Sequence, residues 1–183
     1  MRALIIFLVL VTAGLIATFS CKKEDPFSFT FDREISLSMP SLPAVIDTTM
    51  SVTTPDFSMD IDQALSSNGT AGDLIESIGI NSISMENVTN PDQGLSFLDN
   101  IDLKLLSSDG SIEKSLASKV FANKSIQTGP VNLDVASEPM SYDFLKNLLK
   151  MKATLKSKAD SVAVPASTIK TLINFTVNAN PLK

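Results

Sequence analysis

The feature that most constrains this chain is a strict two-residue alternation of apolar and polar side chains. Phe27, Phe29, Phe31, Ile35, Leu37 and Met39 share one parity, interrupted only by Arg33. Ser28, Thr30, Asp32, Glu34, Ser36 and Ser38 occupy the other. Successive side chains of a strand point to opposite faces, so the pattern predicts a long strand with one dry face and one wet face, ended by Pro40 and Pro43. A helix with the same residues would spread them round its whole circumference.

The same period recurs along the chain. Shorter strands are expected over Ala44–Thr54, at Phe57, Met59 and Ile61, and from Ile78 through Ile83 and Met85. Further strands are expected at Ile101, Leu103 and Leu105, over Ser111–Val120, at Val131, Leu133 and Val135, and at Ile173, Phe175, Val177 and Ala179. Asn90-Pro91-Asp92-Gln93-Gly94 and Ser107-Ser108-Asp109-Gly110 carry turn chemistry. Asp73–Ser77 reads as a single helical turn. One further helix is expected, capped by Ser141, with Phe144, Leu145, Leu148, Leu149 and Met151 as its apolar stripe, passing into a strand where Met151, Ala153 and Leu155 alternate. Lys146, Lys150 and Lys152 would face water.

The fold class that follows is all-β: a β-sandwich with one or two short helices. The rhythm of strand, Pro or Gly turn, strand resembles the small Ig-like sandwiches found in bacterial lipoproteins and, more distantly, the water-stress type LEA domain.

The N-terminal segment has a separate character. Arg2 precedes an uncharged run, Ala3 to Ser20, which ends at Cys21, the only cysteine, followed by Lys22-Lys23-Glu24-Asp25. A positive start, an apolar middle and small residues before a cut are the marks of a secretory signal. With Thr18-Phe19-Ser20-Cys21 at the junction, the segment resembles the signal peptide of a bacterial lipoprotein. The resemblance implies a cleaved leader over 1–20, a lipidated Cys21 and a short tether over 21–26. A single β-sandwich domain would then follow over 27–183. An uncleaved spanning helix fits less well, because Lys22-Lys23 follow the run and lysines favour the cytoplasmic side. Lys23-Glu24-Asp25 also resembles the lysine-plus-acids export tag of surface lipoproteins in the Bacteroidetes group. The implied location is the outer membrane, on its periplasmic face or at the cell surface.

Composition narrows the function. The chain has fifteen basic and twenty acidic residues and a formal charge of −5, which suits no nucleic-acid partner. Histidine is absent, so a Ser-His-Asp site cannot form and the commonest metal ligand is missing. With Cys21 acylated, no thiol remains for a disulfide or for zinc. There is no Trp and a single Tyr, Tyr142, so carbohydrate binding on aromatic platforms is not expected. Acids crowd the first half of the chain and lysines the second, which predicts pairing across the sheets if the strands interleave.

The remaining chemical candidates are few. Ser111–Lys114 and Ser167–Lys170 share a Ser-x-x-Lys spacing, which juxtaposes side chains on a helix but not on a strand. Asp60 with Asp62, and Asp99 with Asp102, are the acid pairs a hard cation would need; a solvated face or a helix start accounts for them more simply. Met39, Met50, Met59, Met85, Met140 and Met151 suit either a core or an apolar-ligand pocket. Lys146, Lys150, Lys152, Lys156 and Lys158 form the one basic cluster. No catalytic residue, metal or cofactor is expected. The expected function is a non-catalytic, lipid-anchored structural or protein-interaction module with an unidentified protein partner. An apolar-ligand binding β-domain is the alternative.

Overall fold

The computed structural model describes residues 27–41, 49–121, 128–158 and 163–180. Cys21, the leader and the tether lie outside the described residues, as does the first part of the strand expected over Ala44–Thr54.

The strands are β1 (Phe27–Met39), β2 (Thr49–Thr53), β3 (Ile75–Asn87), β4 (Leu98–Ser107), β5 (Glu113–Val120), β6 (Val131–Asn132), β7 (Asp134–Val135), β8 (Leu149–Ser157) and β9 (Ser167–Ala179). Two short helices accompany them, α1 (Ile61–Ser67) and α2 (Tyr142–Leu145), with a 3-10 turn over Gly72–Leu74. One sheet runs β1-β9-β3-β6 and the other β2-β8-β4-β5-β7, with every pairing antiparallel. Most connections pass from one sheet to the other. This is the two-layer sandwich expected from the alternation. Its strand order is that of a jelly roll, a different winding of the two layers from the immunoglobulin type.

The alternation becomes burial. In β1 Ile35, Leu37 and Met39 are buried while Ser36 and Ser38 are exposed. β8 and β9 alternate over their whole length, and their apolar inward residues from Leu149 to Val177 join one core with Ile83, Met85, Ile101, Leu103 and Leu105. At ~25 cal/mol per Å² of apolar surface removed from water, this shared layer is the main stabilising term. Arg33 breaks the apolar row of β1, and its guanidinium meets the Asp60 carboxylate at 2.6 Å. β5 is irregular: Leu116 and Ala117 are both buried because a bulge opposite Leu103/Lys104 turns two successive residues inward.

Three elements differ from expectation. The residues Phe57, Met59 and Ile61 do not form a strand. Phe57 makes one bridge to Leu149, then Asp60 adopts the left-handed region (φ 53°, ψ 32°) and turns the chain into α1. The helix expected to reach Met151 stops at Leu145, and the strand expected at Met151, Ala153 and Leu155 forms as β8 but begins earlier, because Leu149 and Met151 pair opposite Ser107 and Leu105. The turn expected over Asp73–Ser77 is shorter, since β3 already begins at Ile75.

The charge pairing crosses the chain halves. Lys150 meets Asp56 at 3.8 Å, Lys156 meets Asp99 at 3.4 Å and Lys170 meets Glu34 at 2.7 Å. Interleaved strands thus bring the acid-rich and lysine-rich halves together.

Candidate functional site

The β4–β5 hairpin loop is held by a single carboxylate oxygen. Asp109 Oδ1 accepts from Ser107 Oγ at 2.6 Å, from Ser111 Oγ at 2.8 Å and from the Ser111 backbone N–H at 3.0 Å. Gly110 supplies the positive φ (75°) that the tight turn needs, and its N–H donates to the Ser107 carbonyl at 2.8 Å. The Ile112 N–H donates to Ser107 Oγ at 2.9 Å, and the Ile112 side chain is 48% exposed. Three donors on one oxygen hold the Asp109 carboxyl at about 2, well below its ordinary value, through Ser107 first and then Ser111.

Facing this loop is α2 and the turn after it. The Ser141 hydroxyl caps the helix by accepting from the Phe144 N–H at 3.2 Å, as expected from the sequence. Lys146 pairs with Asp143 at 2.5 Å, and Asn147 Nδ2 donates to the Asp143 carbonyl at 2.6 Å. Leu148 is then turned outward, 54% exposed. The Ser108 N–H donates to the Leu148 carbonyl at 3.2 Å, and Lys150 Nζ donates to the Ser108 carbonyl at 2.7 Å, tying the two sides together.

Between the two sides lies an open groove of about 740 Å³, lined by Ser107, Ser108, Asp109, Ile112, Phe144 and Leu148 among others. Ile112, Phe144 and Leu148 give it an apolar character, and Asp109 and Asp143 stand at its edge. A proton-abstracting base works best with a pKa near the ambient pH. Asp109, at about 2, is far from that, and the Ser107 and Ser111 hydroxyls already donate to it. Two smaller depressions, about 220 Å³ beside Arg33 and Asp60 and about 190 Å³ beside Ile78 and Pro139, are likewise open.

The sequence candidates fall apart in space. Ser111 donates to Asp109, whereas Lys114 pairs with Glu138. Ser167 is buried on β9, donating to the Pro165 carbonyl at 2.9 Å, whereas Lys170 lies on the opposite face with Glu34. Asp60 is taken by Arg33, and Asp62 accepts the Tyr142 hydroxyl at 2.7 Å. Asp99 and Asp102 turn to Lys156 and Lys104. Among the described residues no group of three or more acidic, His or Cys side chains is placed to hold a metal ion. Met39, Met59, Met85, Met140 and Met151 are buried in the core and Met50 packs partly against it. Lys146, Lys150 and Lys156 each have an acidic partner, and Lys146 also lies over the Tyr142 ring, 5.2 Å from its centroid. Tyr142 is therefore engaged on its hydroxyl and its ring. No helix among the described residues is long and apolar enough to cross a membrane.

Nothing in the sequence pattern marks the groove. Its loop carried a turn signal, but Ile112 and Leu148 sat inside apparent apolar patterns. Only the early end of α2 exposes Leu148.

No protein-family model matches the chain, and no curated protein matches its sequence. Solved structures align over most of its length at low similarity. A Desmodium yellow mottle tymovirus chain matches at 10% identity and TM-score 0.32, covering 87% of this chain and 91% of the other. An infectious bursal disease virus structure matches at 12% identity and TM-score 0.34, covering 86% of this chain and 33% of the other. A carbohydrate-binding module of the β-sandwich superfamily matches at 6% identity and TM-score 0.33, covering 84% and 55%. At such scores no property of those proteins transfers to this chain.

Proposed function

We propose that the protein is a non-catalytic interaction module, anchored to the outer membrane of a bacterial cell envelope by acyl chains on Cys21. One observation carries the reading. The sole cysteine stands at the junction between the uncharged run Ala3–Ser20 and the charged Lys22–Asp25, six residues ahead of the first strand. Each buried methylene of an acyl chain contributes about 0.8 kcal/mol to membrane binding, so two or more chains give durable attachment. The non-catalytic part is supported by the absence of histidine and by the separate engagement of every serine, lysine and acid that the sequence offered as a reacting pair.

Mass spectrometry of the protein extracted from membranes tests the reading. It is expected to find an acylated Cys21 as the first residue. A Cys21→Ala form is expected to leave the acyl-dependent membrane fraction. An intact Met1 with a free thiol, or an unchanged fractionation of the variant, overturns the anchoring.

A further inference from the structure

We infer that the groove end of the sandwich, through Ile112 and Leu148, rests on the lipid surface to which the chain is tethered. The inference rests on the anchoring at Cys21 proposed above and adds an orientation and a second point of contact.

The register fixes which loops share an end. Phe27 pairs with Ala179, and Ala179 with Ile75, so β1 and β3 begin where β9 finishes. At that same end Met140 bridges Ile78, and the Tyr142 ring lies against Gly72. Ser107 pairs with Leu149 just beyond α2, which places the β4–β5 loop and Leu148 there too. From Cys21 to Phe27 the chain spans at most about 20 Å when extended. The opposite end lies a 13-residue strand away, roughly 40 Å. The exposed Val88, next to the Asn87–Ile169 pair, and Val120 belong to that far end, beyond the tether's reach, whereas Ile112 and Leu148 lie within it.

Charge leaves the contact to apolar burial. Around the groove Lys146 is matched by Asp143, Lys150 by Asp56 and Lys114 by Glu138, and Asp109 stands without a lysine in its hydrogen-bond set. Among the described residues around the groove these lysines each meet an acid, so a zwitterionic lipid surface is the expected occupant.

The test uses the full chain, expressed in a bacterial host, extracted from membranes and reconstituted in phosphatidylcholine vesicles. Single cysteines are introduced as Ile112→Cys, Leu148→Cys and Val120→Cys and labelled with an environment-sensitive fluorophore. Unlabelled parent protein shows that Cys21 is blocked, whereas label on the parent means the anchoring itself has failed, and the inference with it. With Cys21 blocked, probes at 112 and 148 are expected to shift to the blue and to lose emission to spin-labelled lipid, while the probe at 120 does neither. Adding anionic lipid is expected to strengthen neither effect. Equal behaviour at all three positions overturns the inference. So does protection of 112 and 148 that appears only in native membranes with other proteins present, which assigns the groove to a protein partner.

Discussion

The ring of Tyr142 occupies the space that a side chain on Gly72 would need: a Cβ built there falls 2.3 Å from Tyr142 Cε1. The ring is held in that place from its other end, where the hydroxyl donates to Asp62 at 2.7 Å. One aromatic side chain thus joins α1, the turn before β3 and α2. Overpacking of this kind costs about 1–3 kcal/mol. Gly72→Ala is expected to lower stability by that order in urea unfolding. Tyr142→Ala combined with Gly72→Ala is expected to cost less than the two single changes added together, because the clash is gone.

Asp60 takes a left-handed backbone without being glycine, and its carboxylate meets Arg33 at 2.6 Å with both groups partly exposed. Such a pair contributes about 0–1 kcal/mol, while the left-handed conformation costs a non-glycine residue roughly 1–2 kcal/mol. Asp60→Gly is therefore expected to be close to neutral. Asp60→Ala loses the pair and keeps the strain, and is expected to be about 1 kcal/mol less stable than the Gly variant by chemical denaturation.

The Asp109 carboxyl is depressed from 3.8 to about 2, with the Ser107 hydroxyl as the largest cause. A group whose folded value lies below its unfolded value stabilises the fold above the unfolded value, and loses that contribution as pH falls through the folded one. Carboxyl NMR is expected to show Asp109 titrating near 2, with the Ser111 amide shifting at the same midpoint. A midpoint at the ordinary value of 3.8 contradicts the three-donor arrangement.

Neighbours on one strand give the sharpest contrast. Phe175 is fully buried and stacked on Phe31 with ring centroids 5.0 Å apart, while Leu172 is three residues earlier on the outer face. Phe175→Ala is expected to cost about 3–5 kcal/mol. Leu172→Ala is expected to stay within about 0.5 kcal/mol of the parent, since it leaves no cavity. Thermal or urea unfolding of the two variants checks both.

The two-layer architecture was legible because β1, β8 and β9 carry an alternation that only a half-buried strand explains. Elements failed where short apolar stretches fit two periods. Phe144 to Met151 satisfies a helical stripe and, from Leu149 onward, a strand, and pairing with β4 decided the matter. Phe57 to Ile61 alternates correctly, yet no propensity announces the left-handed turn at Asp60. The jelly-roll order was not readable either, because pairing partners such as Phe27 and Ala179 are nearly a chain length apart. For the candidate site, the turn residues Ser107 to Ser111 were visible but their convergence on one oxygen was not. The exposure of Ile112 and Leu148 depends on where neighbouring elements end.

The last strand, β9, lies between β1 and β3 and pairs with both along their length. In a chain that emerges from its N-terminus, β1 therefore waits for its partner in this sheet until β9 has appeared. A half-made molecule has no centre in this sheet to collapse around. Sealing of this sheet is postponed until β9 has been made, so the strand that comes first is locked by a strand that comes late.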